Sequence, residues 1–341
     1  MGGAVTFGVA PGPRSIGENP AYWQCMQALT PFKLAPYFSP RIWGFDDLAP
    51  WFDVKTNGDP IGEAWLTGEK CLATTGPLAG SSLAEIMAEY GAELVGRAFD
   101  GSADFPLLLK VIFPREKLSV QVHPDDALAQ KAGSPRGKTE CWYALEAEPD
   151  AKVALGLAPG VTVEQVRAAV ADNTLESLLG WVPIAAGDMV FVDAGTVHAI
   201  WPGAVIFEVQ QQSDITYRLY DYGRPRELHV EQSFEAMRLA TRAGKVAPWR
   251  EGSCTVLIDE QYFRIERWAV ADEGHARELS SAAHSSAELL FVSEGAVTLS
   301  GADFEPFRMG RCELAVIPAN TSEWHLRGSA GAELMRVIPK A

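Results

Sequence analysis

A succession of short apolar runs, punctuated by turn formers, constrains this chain more than any other feature. LLLKVIF (107–113), LSVQVH (118–123), CWYAL (141–145), DMVFVD (188–193), AVIFEVQQ (204–211), ELLFVS (288–293) and CELAVIP (312–318) are the clearest of them. Many are rich in Val, Ile, Phe and Tyr and bounded by Gly, Pro, Asp or Asn, the pattern of strands separated by tight connections. Their repetition predicts a barrel or sandwich. Helical signals interrupt them three times. SSLAEIMAEYGAELVG (81–96) opens on serine caps and places Leu83, Ile86, Met87 and Tyr90 on one face. TVEQVRAAVADNTLESLLG (162–180) opens with Thr162 and Gln165 at capping-box spacing and is expected to close on Gly180. A third runs from about Val230 to Leu239. These read as insertions on a β core.

The 341 residues are enough for about two domains, at ~150 residues each. With 47% hydrophobic and 21% charged residues, the composition is that of a globular protein. We assign 1–30 to an extension with little to bury, 31–250 to a first unit carrying the helical insertions, and 251–341 to a second β unit. The small, polar segment 269–287 leads into that second unit.

The net charge of −15 argues against a nucleic-acid partner, since phosphate neutralisation needs clustered Lys and Arg. A small phosphorylated ligand would need a locally positive pocket. No apolar run approaches the ~18 residues of a membrane span, so no membrane is expected. The first twenty residues lack a basic segment followed by an apolar one, so no secretory signal is read there. Five scattered cysteines without CxxC spacing argue against a disulfide framework or thiolate metal site, and for the cytoplasm.

Chemistry concentrates in three stretches. In SVQVHPDD (119–126), strand alternation puts Ser119, Gln121 and His123 on one face and Val120 and Val122 on the other. GKTECWYAL (137–145) places Glu140 at the start of another strand. GDMVFVDAGTVHAI (187–200) matches the second cupin motif, with glycines that permit the turn delivering His198. One amide oxygen, one carboxylate and two imidazoles make a donor set suited to zinc, though Mn, Fe(II) or Co fit the ligand types too. Each residue alone has a bland reading as a core histidine or a solvated charge. The set predicts a metal centre.

At these residues the chain resembles the type I mannose-6-phosphate isomerases of the cupin superfamily, in particular the shorter bacterial members. RIWGFDDL (41–48), IGEAWL (61–66), 105–126, 137–145, 185–200 and EVQQQSDITYRLYDYGR (208–224) match in order. The resemblance implies two cupin, jelly-roll-like β-barrel domains with a few inserted helices. It also implies one zinc ion per chain, held at Gln121, His123, Glu140 and His198, and active-site roles for Lys138, Asp214 and Arg218. The implied reaction interconverts mannose 6-phosphate and fructose 6-phosphate through an enediolate. Longer members carry a His where this chain has Gly137.

Within that reading, Arg218 is too basic to be the base and is expected to grip phosphate or stabilise the enediolate. Lys138, two residues before Glu140, shares its face and serves as phosphate anchor or proton donor. Ser119 is placed to hydrogen-bond phosphate. Asp214 either orients Arg218 or acts as base. The rival readings are an Fe(II) cupin dioxygenase and a non-catalytic sugar-sensing cupin. In the second β unit, Glu288 and Gly295 fit the end of a first cupin motif, while Glu323 stands where a second His would. We expect a structural unit without metal; a vestigial set of His284, Glu288, Glu323 and His325 is the alternative.

Overall fold

The computed structural model describes residues 29–270 and 286–341; His284 and most of the assigned extension 1–30 lie outside them. The chain is mainly β, built as four sheets in a stack. A five-stranded sheet runs Tyr217–Tyr220, Val120–Val122, His198–Ile200, Lys152–Leu157 and Leu179–Pro183 in spatial order. Facing it is a seven-stranded sheet, in which Glu140–Ala147, Ala204–Gln211 and Leu107–Ile112 are consecutive central strands. Tyr37–Phe45 and Gly244–Val246 form its free edges. The arrangement is an open jelly roll, so the expected barrel closure does not occur.

Burial explains the placement of each strand. Leu107–Ile112 and Met189–Val192 are buried at every position, as their nearly continuous apolar sequences require of strands covered on both faces. Val120–Val122 alternates: both valines are fully buried while Gln121 turns the other way. The valines pack with Ala199 and Leu219 against the helices Val163–Ala171 and Val230–Ala236, which roof the outer face of the five-stranded sheet. On its far face the seven-stranded sheet presents Leu109, Val111, Phe191 and Phe207 to Leu289, Phe291, Leu314 and Val316 of an eight-stranded sheet. The Phe207 and Phe291 rings stack 4.2 Å apart at this seam. A three-stranded sheet covers the other side of the eight-stranded one through Leu290, Val292, Leu299 and Leu326.

The eight-stranded sheet also takes in strands from early in the chain. Phe32–Ala35 pairs with Leu314–Ile317 in the eight-stranded sheet, Phe32 opposite Val316, and Leu72–Ala73 extends that edge.

The capping box expected at Thr162 with Gln165 forms, and the serine cap of the first helix is a capping box as well, Ser82 with Glu85. The helices are shorter than their patterns. The first ends at Gly91, with φ +45°, before a separate turn at Ala92–Val95. The second ends at Asp172, where Asn173 takes a left-handed conformation with φ +58°. Gly180, expected to close it, lies in a strand. The third spans only Val230–Ala236. Among the described residues, no helix is long and apolar enough to cross a membrane.

Candidate metal centre and adjoining cavity

The five-stranded sheet brings Arg218, Gln121 and His198 into one transverse row. Gln121 is directly opposite His198 on one side and Arg218 on the other, so all three side chains leave the same face. That face looks toward the seven-stranded sheet, where Glu140 and Trp142 lie opposite Gln210 and Glu208. Candidate ligands from two sheets therefore meet between the layers.

His123, Glu140 and His198 form a buried cluster, with one candidate donor atom from each lying within 4.8 Å of the others. His198 Nε2 is 3.4 Å from Glu140 Oε1, and His123 Nε2 is 3.7 Å from Oε2. The other ring nitrogens are engaged with backbone: His123 Nδ1 lies 3.0 Å from the Ile215 carbonyl and His198 Nδ1 2.9 Å from that of Thr196. Donation to those carbonyls puts the protons on Nδ1 and leaves both Nε2 lone pairs facing Glu140, the outer-shell arrangement of metal-binding histidines. Burial pushes the His123 pKa well below its usual value and that of His198 to about 4, so both rings favour the neutral, ligating form. Glu140 Oε1 and His198 Nε2 are buried without a hydrogen-bond partner. Such orphaned atoms are costly unless an ion satisfies them, and the residues present fit a metal.

Lys138 closes on the same cluster. Its Nζ is 3.1 Å from His123 Nε2 and pairs with Glu140 Oε2 at 2.9 Å. Burial alone would depress its pKa, but Glu140 and Glu208 outweigh it and the ammonium is held charged. The loop carrying Lys138 is pinned by the segment after His123. The Lys138 amide donates to the Pro124 carbonyl at 3.0 Å, and the Gly137 amide to Asp126 Oδ1 at 2.8 Å. Asp126 also accepts from Gln211 Nε2 and, from the second β unit, the Tyr262 hydroxyl. A Cβ on Gly137 would come within 2.5 Å of the Asp125 carbonyl carbon, so the departure from histidine here has a steric reason. Gly195, with φ +88°, makes the turn before His198, and its amide donates to the His123 carbonyl at 2.8 Å.

A cavity of about 410 Å³ adjoins the cluster. Ser119, Gln121, Lys138, Asp214 and Arg218 all line it, so the site residues singled out in the sequence converge. Asp214 is exposed at the rim. The Arg218 guanidinium donates through Nη1 to the Glu227 carbonyl at 2.8 Å. The wall includes residues that sequence reasoning passed over, namely Arg41, Glu63, Lys110, Glu208 and Arg226. Lys110 and Glu208 are the solitary charges in LLLKVIF and AVIFEVQQ, and a charge inside an apolar strand needs a buried partner. They face each other at 3.4 Å, and Trp142 Nε1 donates to Glu208 at 3.0 Å. Burial, then the Glu140 charge, raises the Glu208 pKa. Glu63 is held ionised by Lys110 and Arg41 against the effect of burial. Arg226 is gripped by both oxygens of Asp221 at 2.6 Å.

Among the described residues the His123–Glu140–His198 group is the only such cluster. Glu288 is bound by Arg336, which also pairs with Glu266 at 3.2 Å, and Glu323 pairs with His325 at 2.8 Å. The four described cysteines are buried free thiols.

Residues 29–162 match the family described as phosphomannose isomerase type I, catalytic domain. The chain is 31% identical over 311 residues to the mannose-6-phosphate isomerase of Streptococcus mutans, covering 87% of this chain and 95% of the relative. It is 32% identical over 316 residues to the mannose-6-phosphate isomerase ManA of Bacillus subtilis, covering 88% and 96%. The crystal structure of a Bacillus subtilis mannose 6-phosphate isomerase superposes with a TM-score of 0.79 at 27% identity, over 91% of this chain and 99% of that one.

Proposed function

The chain belongs to the type I phosphomannose isomerase family, and we propose that it interconverts mannose 6-phosphate and fructose 6-phosphate by proton transfer through an enediolate. The observation that carries the reading is a buried His–Glu–His cluster with unpaired donor atoms beside a cavity walled by Arg41, Lys110, Lys138, Arg218 and Arg226. In a chain of net charge −15, that local positive wall suits a sugar phosphate. The family and the donor set favour this over a dioxygenase or a sensor.

We assign one zinc ion to Gln121, His123, Glu140 and His198, where it would supply Lewis acidity to the oxygens at C1 and C2. Arg218 and Ser119, with Arg226, grip the phosphate. The Lys138 ammonium stabilises the enediolate charge. Asp214 is assigned the carbon-bound proton, taking it from C2 and returning it to C1. Lys138 and Glu208, whose pKa burial raises, carry the hydroxyl proton between O2 and O1. The catalytic unit is residues 31–250, and 251–341 supports it without a metal of its own. The buried free thiols favour a cytoplasmic setting.

A coupled assay for fructose 6-phosphate formed from mannose 6-phosphate, with metal analysis of the same sample, tests this. Turnover that is lost with zinc on chelation is expected. A zinc-loaded, folded protein that does not turn over the sugar sinks the proposal.

A further inference from the structure

We propose that His229 is a positioning residue that locks Arg218 in its cavity-facing orientation. The inference rests on the reading of Arg218 as the phosphate grip and adds how the chain holds it there.

Tyr217–Tyr220 is the outermost strand of the five-stranded sheet, so its outer backbone groups have no neighbouring strand. Its pairing with Val120–Val122 also slips between Arg218 and Tyr220. The segment 227–229 takes the place of the missing strand. The Arg218 amide donates to His229 Nδ1 at 3.2 Å, and the His229 amide donates back to the Arg218 carbonyl at 2.8 Å. The side chain is held from the same segment, through the Nη1 bond to the Glu227 carbonyl. His229 is in turn anchored, because the Ser233 amide and hydroxyl both donate to its carbonyl, at 2.8 and 2.7 Å, in the first turn of Val230–Ala236.

This matters because Arg218 is under opposing pulls. Arg226 repels it and Asp221 attracts it, while its Nε is buried without a partner. With Nη1 fixed on the Glu227 carbonyl, the guanidinium still lines the cavity wall, where an anion can pair with it. Without the imidazole acceptor, the Arg218 amide loses its partner and the side chain's origin is free to shift. Asn, whose side-chain oxygen can accept in a similar place, should substitute for the imidazole; Leu should not.

The experiment compares His229→Leu, His229→Asn and Arg218→Ala in the metal-loaded full chain, reading KM and kcat for mannose 6-phosphate and competitive inhibition by inorganic phosphate. For His229→Leu we expect KM and the phosphate inhibition constant to rise together by about tenfold, with kcat changed far less, and His229→Asn to recover most of the loss. A folded His229→Leu protein with native KM and phosphate inhibition overturns the strap. If Arg218→Ala itself leaves both unchanged, the assignment of Arg218 falls instead. Should His229→Leu not fold, nitrogen NMR of the native imidazole decides: an unprotonated, hydrogen-bonded Nδ1 supports the proposal and a protonated Nδ1 overturns it.

Discussion

Lys110 Nζ stands 3.4 Å from Glu208 Oε1 on adjacent strands in direct register, with each side chain only 5% exposed. Removing one partner strands the other in a medium that solvates charge poorly. Lys110→Met should cost about 3–5 kcal/mol of folding stability. Adding Glu208→Gln should recover a large part of that loss, because no buried charge is then left alone. Urea unfolding of the two single mutants and the double mutant measures the coupling; additive losses would contradict it.

Metal removal should destabilise as well as inactivate. If free metal in the preparation exceeds Kd a hundredfold, chelation should lower stability by about 2.7 kcal/mol. The unpartnered Glu140 Oε1 and His198 Nε2 locate that loss. Thermal melts before chelation, after it and after zinc is restored should show a reversible shift. The same shift should be absent in a folded Glu140→Ala protein.

Gly137→Ala tests the loop that aims Lys138. The added carbon meets backbone atoms of residues 124–126 rather than a flexible side chain, so the loop must move. We expect kcat/KM to fall by at least about tenfold, a barrier change near 1.4 kcal/mol, with the fold retained by circular dichroism. Native turnover in this variant would show that Lys138 tolerates displacement.

Asp126 predicts an acid-dependent contribution. Burial would raise its pKa, but bonds from Tyr262, Gly137 and Gln211 override it and hold the value below the usual one. The unfolded chain therefore binds this proton at a higher pH than the folded one. The stability is fully present above the unfolded pKa of about 4 and is lost as pH falls through the lower folded value. Asp126→Asn should unfold more easily than the native protein at pH 7, and the gap should narrow below pH 4. A gap that is constant with pH would assign the effect to packing.

Local patterns carry much of the His123–Glu140–His198 cluster. Alternation in SVQVH put Gln121 and His123 on one face, and the glycine turn announced His198. Lys110 and Glu208 were as visible as letters, but only register reveals that they meet, since they are far apart in the chain. Helix ends were misplaced where one left-handed residue, Asn173, ended a run that the periodicity would have continued. The pairing of Phe32–Ala35 with Leu314–Ile317 has no local signal; it depends on how distant strands find room in a sheet.

That pairing has a consequence for how the molecule is made. On a ribosome, the strand at 32–35 emerges long before its partner at 314–317, and until then it is an unpaired edge open to other chains. Phe207 likewise has no Phe291 to stack on until residue 291 is made, so the far face of the seven-stranded sheet stays bare over that interval. Contacts this distant in sequence close slowly. A nascent chain halted before Leu314 would thus expose the seam it needs most to hide, making the second β unit the built-in gate on when the first becomes safe from aggregation.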